Sequence, residues 1–262
     1  MAWDALEREL AAWRAAGRTA TLWWRDDDAQ APSPELDRLL DLRAAVDVPL
    51  ALAVIPAPAG PPLAERLADA ECVTVLQHGI AHVDRSAPGE KKCELAASRP
   101  IEETGAALAA ARRRLGGLFA GRARSVLVPP WNRIAAELVP ELPNWGFTGL
   151  SAFGPRRTAE PAPGLLQANA HVDPVDWRGT RGFVGTDAAL GTLVEHLAAR
   201  RAGNTDAAEP TGLLSHHLVH DAAAWDFLEA LLRRTAEHPA CRWLDADAVF
   251  DGRAPLSGGR SA

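Results

Sequence analysis

A chain of 262 residues with 47% apolar and 24% charged side chains can bury a sizeable core and is too apolar to be a disordered segment. Its net charge is −6 and its 28 basic residues are scattered, so nucleic acid is an unexpected partner. No apolar run approaches the roughly 18 residues a membrane span needs.

In chain order, residues 1–19 read as an amphipathic helix packed on the body, with Trp3, Leu6, Leu10 and Trp13 at helical spacing among charged residues. That start does not resemble a signal peptide. Cys72, Cys93 and Cys241 form no C-x-x-C pair, so neither a disulfide framework nor a thiolate zinc site is expected, and the cytoplasm is the expected compartment.

Thr21 to Trp24 is the first strand candidate, followed by a helix from Pro34 to Val46 with Ser33 as its cap. Val48 to Ile55 reads as a strand buried on both faces, and a Pro/Gly loop and short helix lead to a strand from Cys72 to Leu76. Between Val83 and Arg99 the chain is polar and irregular, and a helix from Ile101 to Leu115 follows, with Ser98 as its cap. Further strands are expected at Ser125 to Val128, Phe147 to Leu150, Leu165 to Ala168, Gly212 to Leu214 and Arg242 to Leu244, with helices over Asp187 to Arg201 and Ala222 to Glu237. This alternation, without hairpin signals, predicts parallel strands in a barrel or doubly wound sheet. The expected body is one domain over residues 20–252, with 253–262 as a flexible tail.

Polar clusters follow the strands: Arg25-Asp26-Asp27-Asp28, Gln77-His78 with His82, Pro129-Pro130-Trp131-Asn132, His171-Val172-Asp173, and His216-His217. In a parallel barrel the C-terminal strand ends share one face, where active sites are built. Adjacent carboxylates repel unless a cation neutralises them, and strand alternation gives neighbours different roles. His78 and His82, spaced i and i+4, can present two imidazoles from one side of a helical turn. With an Asp from another strand they make the two-His, one-carboxylate set of catalytic zinc and non-haem iron sites.

These segments resemble the motifs of the polysaccharide deacetylase (NodB-homology, carbohydrate esterase) family, in order, from about residue 20 to 221. Arg25 to Ala29 is similar to its Thr-Phe-Asp-Asp-Gly turn, and His78-Gly79-Ile80-Ala81-His82 to its His-x-x-x-His. Val128 to Trp131 is similar to its Arg-x-Pro-aromatic segment, Asp173 to Trp177 to its Asp-and-Asp-Trp motif, and Leu214-Ser215-His216 to its Leu-x-His. The resemblance implies a distorted (β/α)7-type α/β barrel in a single domain. It implies Asp28, His78 and His82 as ligands of a divalent metal, zinc first, with cobalt, nickel or iron also accommodated. Asp27 would be the general base, and His216 the general acid, with His217 as rival. Asp173, or else Asp176, would orient that acid. Trp131 would wall the cleft, with Pro130, Asn132, Trp177, Asp176 and His217 as further substrate-binding candidates.

The implied activity is hydrolysis of an N- or O-acetyl (acyl) group on a carbohydrate or small conjugate. The partner expected is a small molecule or oligosaccharide, with no nucleic acid or membrane and an open oligomeric state. Two rivals stand: hydrolysis of another non-peptide C–N bond of the ureide or formamide type, and a retired enzyme that only binds glycans. The second arises because Val128 stands where the family's third motif has an Arg that pairs with the catalytic Asp. Arg25 or Arg133 would have to supply that guanidinium.

Overall fold

A computed structural model describes residues 2–251. The tail expected over 253–262 lies outside the described residues. The elements are α1 (Ala2–Ala15), β1 (Ala20–Ala29), α2 (Pro34–Val46), β2 (Leu50–Val54), α3 (Pro61–Leu67), β3 (Val73–His78), α4 (Ile101–Leu118), β4 (Ala123–Val128), β5 (Gly149–Leu150), β6 (Leu166–Gln167), α5 (Thr186–Ala202), β7 (Thr211–Ser215), α6 (Ala222–Ala236), β8 (Cys241–Leu244) and α7 (Ala246–Phe250). Short 3-10 turns fill the stretch between β4 and β5.

All strand pairs are parallel, in the order β6-β5-β4-β3-β2-β1-β7, with β8 on the first half of β1. The chain after β6 closes the curve: His171 N–H donates to Gly212 O (2.7 Å) and Leu214 N–H to Val172 O (2.7 Å). The result is the distorted (β/α)7-type barrel that the motifs imply, with one additional strand.

Two apolar layers follow from strand alternation. Outward side chains such as Leu22, Trp24, Val73, Val75 and Leu213 meet the buried faces of the helices. Inward ones, Trp23, Ala51, Ala53, Leu76, Val126, Val128 and Ala168, fill the barrel with Phe250 of α7. Ser33 caps α2 as expected, its Oγ accepting from Leu36 N–H at 3.1 Å. Ser98 does not cap α4: Pro100 stands at that position, and the Ser98 hydroxyl donates to Arg85 O at 2.9 Å. Helix α1 buries Leu6, Leu10 and Trp13 and is pinned to α5 by a two-pronged Arg201–Glu9 pair at 2.7 and 3.0 Å.

The strand expected over Thr21–Trp24 runs on to Ala29, so the charged cluster lies inside β1 rather than after it. Arg25, Asp26 and Asp27 are almost wholly buried, which is tolerable only because each finds a partner. The register against β2 slips between Asp26 and Ala29, where three steps on β1 face two on β2. This bulge, with Asp28 at φ +74°, re-aims the strand's last carboxylates. Strict alternation would have sent Asp27 and Asp28 to opposite faces; the extra residue brings both to the cleft.

Candidate metal centre

His78 ends β3 on its inward side. Its Nδ1–H donates to Val128 O at 3.1 Å, which leaves the Nε2 lone pair facing the cleft. Nε2 lies 3.1 Å from Asp28 Oδ1, and His82 Nε2 lies 3.3 Å from the same oxygen. That oxygen is buried without a hydrogen-bond donor. With His78 in this tautomer, lone pairs of a carboxylate and an imidazole face each other, a contact that a shared cation converts from repulsion to coordination. The donor set therefore fits a divalent metal. Without one the cluster turns to protons. Burial opposes a charge on His78, but Asp27 and Asp28 outweigh it and raise its pKa, whereas burial lowers that of His82. The carboxyl of Asp28 is held well below the usual range, its burial overcome chiefly by the neighbouring His78 when that imidazole is protonated.

The i, i+4 spacing of the histidines is not realised on a helix. His82 sits in a turn after β3, at φ +57°, and the two rings are 5.2 Å apart. Glu94 builds that turn. It is buried, and its oxygens accept from the N–H groups of Ile80 (2.8 Å), Ala81 (2.8 Å) and Val83 (3.3 Å). A Cβ on Gly79 would stand 2.1 Å from Glu94 Oε2 and 2.5 Å from Pro130 Cδ, so only glycine fits beneath the turn. Nothing in the sequence marks Glu94, which lies in the irregular polar stretch.

The guanidinium absent at Val128 comes from two residues before Asp27. Arg25 Nε and Nη2 meet Asp27 Oδ1 and Oδ2 at 2.9 and 3.0 Å. Its remaining donors are held by Ser151 Oγ (2.6 Å), Ser151 O (3.2 Å), Ala152 O (3.1 Å) and Asn132 Oδ1 (2.6 Å). Arg133 instead donates to Lys92 O at 2.9 Å.

His216 extends the inward side of β7, 4.0 Å from Asp173 through Nδ1. Asp173 accepts from Trp177 Nε1–H (2.7 Å) and Val175 N–H (3.0 Å), while burial pushes its pKa up against the pull of His216. The Trp177 ring stands edge-on to His216 at 4.8 Å, and the Trp131 ring lies 4.4 Å from His82. These two tryptophans flank the cluster.

The other substrate-binding candidates are occupied elsewhere. His217 is 1% exposed and holds Asp26, which withdraws it as the rival acid. Pro130 is buried against the glycine of the His82 turn. Asn132 is bonded to Arg25. Asp176 accepts from Gly179 and Thr180 N–H at 2.9 and 3.1 Å, closing its own turn rather than orienting His216.

His171, His196 and Glu209 also lie within ligand distance of one another. That buried cluster is unsuited to a cation. His171 Nδ1 accepts Gly212 N–H at 2.9 Å, so the proton is on Nε2, which points at Glu209 Oε2 3.4 Å away. The Arg200 guanidinium, 2.9 Å from Thr211 Oγ1 beside His196, adds positive charge.

No protein-family model and no curated protein matches this chain. Solved structures do. A peptidoglycan N-acetylglucosamine deacetylase bound to an N-hydroxybenzamide aligns with TM-score 0.54 at 15% identity, over 91% of this chain and 96% of that one. A mutant family 4 carbohydrate esterase pseudoenzyme with restored activity aligns with TM-score 0.55 at 13% identity, over 89% and 68%. An acetyl xylan esterase from Clostridium thermocellum, in complex with a cobalt ion, gives 0.50 at 11% identity, over 88% and 90%. At such identities the likeness establishes the fold, that of the NodB-type carbohydrate esterases.

Proposed function

We propose that this chain is a divalent-metal-dependent hydrolase that removes an acetyl or related acyl group, N- or O-linked, from a carbohydrate or small conjugate. The observation that carries the reading is the convergence at one barrel mouth of the Asp28–His78–His82 set, a buried carboxylate fixed by Arg25, and a histidine beside Asp173. The solved proteins of this fold described above include a deacetylase and a cobalt-bound acetyl esterase.

Asp28, His78 and His82 would hold the metal, zinc first among cobalt, nickel and iron. A cation held there would supply a polarised acyl carbonyl and water acidified to a pKa of about 7. Asp27, restrained by two guanidinium contacts, accepts the proton of the attacking water. His216 donates a proton to the leaving amine or alcohol, and the Asp173 carboxylate stabilises the imidazolium that does so. Trp131 and Trp177 give flat walls against which a sugar ring can lie.

The Arg25–Asp27 pair favours a working enzyme over a retired glycan binder, because it keeps an acidic side chain in register beside the ligand set. No described helix is long and apolar enough to cross a membrane. The unpaired cysteines suit the cytoplasm, which we propose as the compartment. The test is acetate release by metal-loaded protein from a panel of acetylated sugars, set beside ureides and formamides. Turnover of the acetylated sugars supports the reading; turnover of ureides or formamides alone, or glycan binding without release under any metal, overturns it.

A further inference from the structure

Among the motif residues with no part in the reaction above are the first carboxylate of the triplet, Asp26, and the second imidazole of the pair, His217. They bond to each other. Asp26 is fully buried on the outward side of β1, where its register partner on β7 is Ser215. Its Oδ1 takes the Nδ1–H of His217 at 2.5 Å, and its Oδ2 takes His217 N–H at 3.1 Å and the Ser215 hydroxyl at 2.6 Å. Trp24 Nε1–H completes the line by donating to Ser215 Oγ at 2.8 Å.

One carboxylate thus grips the residues on both sides of His216. Asp26 also directly precedes the bulge that carries Asp27 and Asp28. The backbone N–H of His216 is itself received by His220 Nε2 at 3.2 Å, so the residues around the acid are tied on both sides. We infer that Asp26 and His217 are positioning residues, a clamp between β1 and β7 that sets where His216 stands relative to Asp27 and Asp28. The inference deepens the hydrolase reading and rests on it.

The geometry explains why both residues are needed. Strand β1 bears the base and one ligand, while β7 bears the acid, and ladder bonds end at Asp26 and Ser215. Beyond that point nothing in the ladder fixes the distance between the two strand ends. A shared carboxylate carries the register one residue further, from below the cleft, without occupying it. Misplacing a reacting group by about 1 Å can cost on the order of 100-fold in rate.

The test uses the full chain loaded with cobalt, in four variants: Asp26→Ala, Asp26→Asn, His217→Leu and His217→Asn. Asparagine at 217 keeps an N–H near the place of the imidazole Nδ1–H and lacks Nε2, which is buried without a partner. Asp26→Ala and His217→Leu are expected to lower kcat for acetate release about 10- to 100-fold, with KM and bound cobalt unchanged. In both, the ring NMR resonances of His216 should shift and broaden while those of His78 stay in place. His217→Asn should restore kcat and the His216 resonances, and Asp26→Asn should fall between. Unchanged kcat and resonances in His217→Leu would overturn the clamp. So would a His217→Asn variant as impaired as His217→Leu, because Nε2 would then act directly. If wild-type protein releases no acetate, the hydrolase reading fails, and the His216 resonances still decide whether the clamp exists.

Discussion

Replacing Arg25 by methionine keeps much of the side chain's length and removes every donor it offers. Arg25 is 0% and Asp27 2% exposed, so the change leaves a buried carboxylate without its guanidinium partner. It also strips a donor from Ser151 O, Ala152 O and Asn132 Oδ1. Breaking a buried ion pair by removing one partner costs about 3–5 kcal/mol, against about 0–1 kcal/mol for an exposed pair. Arg233–Glu229, with both side chains about half exposed, is the internal control. The assay is urea unfolding of metal-free protein for Arg25→Met, Asp27→Asn and the double variant. The double variant should be more stable than the sum of the single effects implies, with a coupling of about 2–3 kcal/mol. Strict additivity, or an Arg25→Met variant within about 0.5 kcal/mol of wild type, would refute the claim that Arg25 replaces the guanidinium missing at Val128.

Three other outcomes follow from the same geometry. Glu94→Ala removes the acceptor of three turn amides and should weaken zinc binding about 10- to 100-fold by titration calorimetry, while Arg233→Ala, which breaks only the exposed pair with Glu229 on α6, should not. Gly79→Ala adds a Cβ into Glu94 and Pro130 at φ +58° and should lose metal affinity in the same titrations and more than about 1 kcal/mol of stability in urea unfolding. His196 is buried and its pKa is pushed down to about 3 by burial, with His171 and Arg200 adding to it. The unfolded chain takes up that proton below about pH 6.5 and the folded one does not, so this contribution is whole above pH 6.5 and is lost as the pH falls toward 3. Wild type should therefore lose about 1–2 kcal/mol more than His196→Gln between pH 6.5 and 5, and parallel stability profiles would show that His196 titrates normally.

Much of this architecture was legible in the residues. The helix Pro34–Val46 marks its start in the sequence, through Ser33 as cap and Pro34 at the first helical position. Clustering of acids and imidazoles after apolar runs pointed to one barrel mouth, and the structure brings Asp28, His78 and His82 together there. What escaped was set by contacts distant in sequence. A bulge between Asp26 and Ala29 depends on the register of β2, which no local pattern records. The sequence places Arg25–Asp28 after the strand because charged residues rarely continue one; the burial of Arg25 and Asp26 within it is made tolerable by Ser151, Asn132, Ser215 and His217, from other parts of the chain. Glu94 is invisible for the same reason, since the amides it holds lie more than ten residues earlier. Strand alternation lets only one of His216 and His217 face inward and the motif spacing favours His216; the structure sets His216 beside Asp173 and His217 against Asp26.

Metal content after exhaustive dialysis, in wild type beside Asp28→Ala and His78→Ala, bears most directly on the account. Near one equivalent of divalent metal is expected in the wild type and strongly reduced content in both variants, each of which retains the fold by circular dichroism. Folded variants that hold as much metal as the wild type would place the ion elsewhere and contradict it.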